Sequence, residues 1–378
     1  MTALDRNNMP SVIDLYAGVG GLGLGAARAG FDVRMAVELD KIAIATHAQN
    51  FPNCRHLHRD VATISGADLL AEAGLAPTQL SGLIGGPPCQ GFSVMGKNDP
   101  NDPRNALFSH FFRLVSETRP LFFVAENVPG ILSEKNQGVL NAAFDLLPQS
   151  YQIHKIVIKA SDIGAPTIRT RVFFVGMDAE RMETNFAFDG LTPISGLHAT
   201  VGHALQGLPA IRSNWGAEHQ SWRKCGDVPQ DGFFDRICNS IPYGIGDPHA
   251  LKRYANAREI SGCFGTVHDP ETVKRFAKLQ PGDTDIVSRA KKLDPLGFCP
   301  TLRAGTASDR GSFQAVRPIH PGSPRVITPR EAARLQGFPD WFVFHPTKWH
   351  SFRQIGNSVS PIVSEALLSQ IRLLLPAA

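Results

Sequence analysis

Between residues 11 and 178 short apolar runs alternate with amphipathic stretches, and few folds can bury a chain patterned in that way. The runs SVIDLYAG (11–18), VRMAVEL (33–39), LSGLIGG (80–86), PLFFVAENV (120–128) and RTRVFFVG (169–176) have the length and composition of buried strands, and HLHRDV (56–61) reads as a shorter one. Between them GLGAARAG, DKIAIATHAQNF, NALFSHFFRLVSE and GVLNAAFDLL carry apolar residues at helical spacing. The alternation predicts an α/β fold, a mostly parallel sheet with helices on both faces, whose ligands bind at the carboxyl edge of the strands.

After Gly176 the rhythm fails. Residues 185–300 are rich in Gly, Pro, Asn, Asp and Trp and predict a smaller, irregular domain of mixed strands and loops. TPREAARLQG (328–337) then reads as a short helix with Thr328 as cap, Pro329 at its first position and Gly337 as its stop. The last stretch, PIVSEALLSQIRLLL, is a helix with a wide apolar face that should dock back on the first domain. The expected division is therefore residues 1–184 with 346–378 as the larger domain and 185–345 as the smaller, which suits a length of 378 residues.

Composition removes several classes. The six cysteines (54, 89, 225, 238, 263 and 299) include no C-x-x-C pair, so neither a zinc site nor a disulfide framework is indicated, and a reducing, cytoplasmic setting fits. The start, MTALDRNNMPSV, has no apolar signal core, and no run approaches the roughly 18 apolar residues of a membrane span. The net charge of +4 is unevenly spread: residues 1–184 hold 16 Lys/Arg against 18 Asp/Glu, residues 185–300 hold 13 against 12, and residues 301–378 hold 9 against 4. Eight of those last nine cations are arginines, whose forked donors suit phosphate oxygens; a solvated basic surface accounts for them equally well.

Four stretches carry chemistry. In DLYAGVGGLGLG (14–25) Gly18, Gly20 and Gly23 satisfy G-x-G-x-x-G between a strand and a helix, and Glu38 closes the next strand where a ribose-binding acid belongs. Any ligand with an adenosine half could use that turn. Asp60, after the third strand, either meets an adenine amino group or caps a helix. GGPPCQGFS (85–93) places Cys89 at the carboxyl edge of a strand behind Pro87 and Pro88, where a thiol can serve as a nucleophile, and the polar loop from Gln90 to Pro103 suits a lid. AENVPG (125–130) ends the next strand with Glu126, and IRTRVFFVG (168–176) opens another with Arg169 and Arg171, which alternation sends to one face.

Taken in order, DLYAGVGGLGLG, GGPPCQGFS, AENVPG, IRTRVFFVG, RVITPREAARLQGFPD and RQIGNSVSP closely resemble the motifs of the DNA (cytosine-5)-methyltransferases, over residues 12–178 and about 300–370. The resemblance implies a Rossmann-like, S-adenosylmethionine-dependent methyltransferase fold with a target-recognition region at 185–300. It implies that Cys89 is the nucleophile, that Glu126 is the acid of the Glu-Asn-Val motif, and that Arg169 and Arg171 are the paired arginines near the target base. It implies a site for S-adenosylmethionine lined by Tyr16, Gly18, Gly20, Gly23, Glu38, Asp60, Pro88, Leu107, Asn357 and Val359, with no metal. Many members carry glutamine where this chain has Thr167, so one contact near the site differs.

The implied reaction begins with thiolate addition to C6 of cytosine, which gives C5 the electron density to accept a methyl group; elimination of the C5 proton and the thiol follows. Such a site cannot reach a stacked base, so the cytosine must be flipped out of double-stranded DNA. Arg303, Arg310, Arg325, Arg330 and Arg353 become candidates for phosphate contacts. Trp215, Trp222 and Phe233 are better read as the small domain's core than as base-stacking residues. The expected partners are double-stranded DNA, bound by a monomer at the nucleoid, and, genetically, a restriction endonuclease. The competing functions are a tRNA cytosine-5 methyltransferase, a nicotinamide-dependent dehydrogenase, which explains only the glycines, and a DNA-binding module without activity.

Overall fold

The computed structural model describes residues 8–88, 106–182, 191, 199–211, 222–304 and 317–376. Its first part alternates β1 (Ser11–Leu15), α1 (Gly21–Arg28), β2 (Asp32–Glu38), α2 (Lys41–Asn50), β3 (Arg55–His58), α3 (Gly66–Ala73), β4 (Leu80–Gly85), α4 (Ala106–Thr118), β5 (Phe122–Asn127), α5 (Gln137–Phe144), β6 (Tyr151–Lys159) and β7 (Thr170–Asp178). The seven strands form one sheet in the order β3-β2-β1-β4-β5-β7-β6. Strands β1 to β5 run parallel, and β7 lies antiparallel between β5 and β6. The α/β reading therefore holds. The sequence pattern did not reveal β6, because that strand has a neighbour on one side only and its alternation breaks at Ile156-Val157-Ile158.

One face of the sheet is sealed by aromatic rings. In α4 Phe108, Phe111, Phe112 and Val115 fall at i, i+3, i+4 and i+7, so one helix face carries three buried rings onto Phe123 and Phe174 of the sheet. Phe112 meets Phe123 and Phe144 edge-on at centroid distances of 5.5 and 5.2 Å. The other face is closed by α1 and by the helix Pro361–Leu374 from the end of the chain. Ser364 Oγ donates to the Gly21 carbonyl at 3.0 Å, and a Cβ on Gly25 would fall 2.5 Å from the Glu365 backbone nitrogen. The last helix thus docks back on the first unit through glycines that let two backbones approach.

The helix Pro329–Gln336 has the expected ends: the Thr328 side chain and Glu331 form a reciprocal capping box, Pro329 is at the first position, and Gly337 stops it at φ 90°. All eight of its residues are buried. Its basic side chains are joints in the fold. The Arg330 guanidinium donates to the carbonyls of Ser261, Pro339 and Phe342 at 2.8, 3.0 and 2.6 Å, and Arg334 pairs with Asp340 at 2.6 Å with both side chains fully buried. Arg325 pairs with Glu331 at 2.7 Å, again out of solvent. Arg325 and Arg330 are therefore excluded as phosphate ligands, because each spends its donors inside the protein. Arg353 pairs with Asp40 at 2.6 Å, Arg303 is exposed, and Arg310 lies outside the described residues.

The region 185–300 is more helical than its composition predicts. Helices Pro248–Ala257 and Pro270–Lys278 each open on an Asp-Pro pair, with Asp247 and Asp269 as side-chain caps and proline at the first position. Their polar sequences hide a narrow apolar face. Phe233 is buried as expected, Trp222 is half-buried with the Arg253 guanidinium 4.6 Å from its ring centre, and Trp215 lies outside the described residues. Packing is continuous across the expected boundary at 345/346: Phe342 meets Phe51 of α2 edge-on, and Val343 N donates to Asn50 Oδ1 at 2.9 Å.

Gly25→Ala tests the docking of the last helix. The added methyl has no room, so we expect a loss of stability of about 1–3 kcal/mol, read as a lower denaturation midpoint.

Candidate active site

The carboxyl ends of β1 and β2 build the first half of the site. After Leu15 the chain turns sharply, with Tyr16, Gly18 and Gly20 all in the left-handed region at φ 55°, 57° and 94°. Glu38 holds that turn: its carboxylate accepts from Gly18 N at 2.8 Å and from Asp40 N at 2.7 Å. Burial raises the Glu38 carboxyl above its ordinary range, and the two N–H donors oppose that rise. Beneath the turn Asp14 is fully enclosed, and burial followed by the charge of Glu38 pushes its carboxyl well up.

The three motif glycines have different jobs. A side chain at Gly18 would meet nothing within 4 Å among the described residues, which leaves room there for a ligand. At Gly20 a Cβ would strike the Phe51 ring, and at Gly23 it would lie 3.0 Å from Asp14 Oδ2. Those two glycines face the core, and a ligand could reach them only through their backbone. Gly21, which is not part of the motif count, is pressed against the Val359 carbonyl and brings the motif near the chain's end to the loop. Asn357, two residues before Val359, is exposed.

Tyr16 reaches across to α4, its hydroxyl donating to the Leu107 carbonyl at 2.7 Å. Burial, then the charge of Asp60, raises the Tyr16 phenol, which places Tyr16, Leu107 and Asp60 on one side of the turn. Asp60 caps the short helical turn Val61–Thr63, accepting from Ala62 N at 2.9 Å. Of its two readings the capping one is thus realised.

The second half of the site comes from β4, β5 and β7. Because β7 runs antiparallel to β5, Glu126 pairs with Phe173 and Asn127 with Val172, and the start of β7 comes to the end of β5. Arg171 Nε consequently lies 2.7 Å from Glu126 Oε1, with both side chains mostly buried. Gly86 completes the corner, where a Cβ would lie 3.3 Å from Glu126 Oε2. Asn127, whose role the sequence reading passed over, is buried and donates to the Pro87 carbonyl at 3.3 Å. The signal for it was present, as the amide beside the acid in AENVPG. Pro88 is half-buried at the end of this described stretch, and Cys89 lies outside the described residues, as does the loop that follows.

Arg169 does not share the work of Arg171. Its buried guanidinium donates to the Gly356 carbonyl at 2.9 Å and the Leu302 carbonyl at 3.3 Å, so it ties the sheet to the segment at Leu302 and to the helix Lys348–Asn357. Thr167 acts beside it: its hydroxyl donates to the Cys299 carbonyl at 3.1 Å, a bond that a short side chain can make. Sequence pattern also gave no warning that buried His47 and half-buried His56 meet, Nδ1 to Nε2 at 2.9 Å, with Cys54 close by. Burial lowers both imidazoles, His47 the further.

A glycine turn with an acid on the neighbouring strand, and an acid–arginine pair one strand over, converge on the edge where the sheet order changes direction. The model of the C-5 cytosine-specific DNA methylases matches residues 10–373. The chain belongs to that family. The methylase is 40% identical over 376 residues to the type II methyltransferase M.XorII of Xanthomonas oryzae pv. oryzae, covering 96% of this chain and 84% of that one. A solved structure described as a candidate DNA modification methyltransferase encoded within an E. coli prophage is 51% identical, with a TM-score of 0.87, covering 96% of this chain and 99% of that one. The methyltransferase DNMT2 of Spodoptera frugiperda, at 17% identity and TM-score 0.54 over 96% of this chain and 99% of that one, shares the fold alone. The methylase is thus a DNA (cytosine-5)-methyltransferase that uses S-adenosylmethionine, and the dehydrogenase and inactive-module readings fall away. The tRNA reading is not favoured. Among the described residues no helix is long and apolar enough to cross a membrane.

The open face at Gly18 and the carboxylate of Glu38 fit the adenosine half of that cofactor. Glu38→Ala should weaken S-adenosylmethionine binding roughly ten-fold or more, since two loop N–H groups lose their acceptor. Glu38→Gln, which keeps one acceptor, should weaken it less in the same calorimetric titration.

Proposed function

We propose that the methylase acts on a specific cytosine that has left the DNA stack, through a reversible bond between the Cys89 sulfur and C6 of the base. The observation that carries the reading is the 2.7 Å contact of Arg171 with Glu126 beside Gly86 and Pro87, at the mouth of the loop that bears Cys89. Elimination supports it as well. The other five cysteines are buried, and burial pushes the thiols of Cys238 and Cys263 up to about 11 and about 12 and that of Cys299 higher still, which disfavours the thiolate at those three.

In this reading the Cys89 thiolate adds to C6 while Glu126 donates a proton or hydrogen bond at N3, so that the electron pair released from the ring gathers at C5. Arg171 fixes Glu126 and offers its remaining donors to O2 of the cytosine. The cofactor would supply an electrophilic methyl group, accepted by the electron pair at C5 as its bond to the sulfonium sulfur breaks and S-adenosylhomocysteine is left. Loss of the C5 proton to a base then expels the sulfur and restores the aromatic ring. Tyr16, Leu107, Glu38, Asp60, Pro88, Asn357 and Val359 would surround the cofactor, and Gly18, Gly20 and Gly23 would present their backbone to it. Arg169 is a positioning residue, holding the smaller unit at the edge of the site.

Extruding a cytosine costs about a few kcal/mol, so the enzyme must hold the duplex as well as the base. We assign that grip to the smaller unit and to the loop after Cys89, with the protein acting as a monomer. A cognate restriction endonuclease fits the type II relatives.

Incubation with tritiated S-adenosylmethionine and, separately, duplex DNA and tRNA should place label in DNA alone. Cys89→Ala should abolish transfer while cofactor affinity stays within about two-fold of wild type. Glu126→Gln should lower kcat by about 10²–10⁴-fold. Label in tRNA alone, or full activity of Cys89→Ala, contradicts the reading.

A further inference from the structure

The smaller unit contains one element built to be pushed into something. Residues 284–291 form a tight hairpin: Thr284 and Lys291 make an antiparallel bridge, Asp285 N donates to the Ala290 carbonyl at 2.8 Å, and Arg289 N donates to the Asp285 carbonyl at 2.8 Å. The Asp285 carboxylate locks the turn from inside, accepting from Ser288 N and Oγ at 2.8 and 2.7 Å and from Arg275 Nε at 3.0 Å. Against burial, which pushes it up, the bonds from Arg275 and Ser288 hold that carboxyl down at about 2, so the lock stays closed at any physiological pH. At the base Ala290 is buried with Phe276, Ile319 and Val326.

The rigid turn ends in two β-branched apolar side chains. Ile286 is 82% exposed and Val287 59%, and among the described large apolar residues Leu296 alone is more exposed than Ile286. Behind them Arg289 occupies the left-handed region at φ 61°, where glycine or asparagine would be less strained. The surrounding charge is also uneven. Residues 270–292 hold six Lys/Arg against three Asp/Glu, while the rest of 185–300 holds seven against nine. The positive excess of this otherwise near-neutral region therefore lies on the hairpin and the helix Pro270–Lys278 beneath it, with Lys278, Arg289 and Lys291 exposed. An apolar, preorganised tip rimmed by cations matches a nucleic-acid groove, with phosphates at its walls and base edges, including thymine methyl groups, on its floor.

We propose that the hairpin 284–291 enters the groove of the substrate duplex, with Ile286 and Val287 on base edges and Arg289 and Lys291 on the flanking phosphates, and so helps set which sites are methylated. This rests on DNA being the substrate, and the test separates the two claims.

The Ile286→Ser/Val287→Ser double variant and Lys291→Ala are compared with the wild-type full-length protein on phage DNA, by tritium transfer and by bisulfite sequencing of the methylated sites. Wild-type methylation of the DNA secures the substrate. The double variant should keep its unfolding midpoint and cofactor affinity yet lose roughly ten-fold or more in kcat/KM for DNA, or accept altered bases at one position of its site. Lys291→Ala should weaken DNA binding and flatten its salt dependence by about one ion. A double variant that methylates the same sites at the wild-type rate overturns the proposal. Should that variant lose cofactor affinity through misfolding, Lys291→Ala decides: an unchanged salt slope overturns the assignment and a reduced one upholds it.

Discussion

The site depends on one reversal of strand direction. Four parallel neighbours bring the carboxyl ends of β1, β2, β4 and β5 to a single edge, as any sheet of this kind does. A further parallel strand beside β5 would have delivered its last residues to that edge. Because β7 is antiparallel, it delivers its first residues instead, and Arg171 arrives against Glu126. The acid–arginine pair is thus a consequence of topology, and Gly86 and Pro87 lie beside it because β4 is the other neighbour of β5.

Glycines and buried arginines hold this edge to the rest of the molecule. Gly21 and Gly25 admit the last segment of the chain onto α1, which sets the Val359 carbonyl against the turn that Glu38 fastens. Arg169, Arg330 and Arg334 bond carbonyls of segments far apart in sequence, those of Gly356, Ser261 and Ala204. A guanidinium inside a protein is tolerated only when nearly all its donors are used, so each of these residues fixes a geometry as well as a contact. Segments far apart in sequence are coupled by specific polar bonds as much as by apolar packing.

Much of this was legible in the sequence because it is local. Strand and helix periods, the Thr328 cap with Pro329 and Gly337, and the glycine turn before a helix are all written within a few neighbouring residues. What resisted reading was long-range. An arginine count cannot tell Arg303, which is exposed, from Arg330, whose partners Ser261 and Phe342 are reached only in the fold. Alternation grouped Arg169 with Arg171, yet the residues that separate their duties, Gly356 and Glu126, come from other elements. The edge strand β6 lacked a clean period because water covers part of both faces. The glycine motif also hid a distinction: Gly18 is open, whereas Gly20 and Gly23 are required by Phe51 and Asp14.

The central claim is that the Cys89 sulfur bonds to the base, and it is tested most directly by trapping. Duplex DNA carrying 5-fluorocytosine at the target position keeps a fluorine where a proton must leave, so the bond to sulfur should persist through denaturation. Digestion and mass spectrometry of the trapped complex should find the nucleotide on the peptide containing Cys89 and on no other cysteine. An adduct on a different residue, or methylation of normal DNA with no trapped complex on the fluorinated one, would contradict the account.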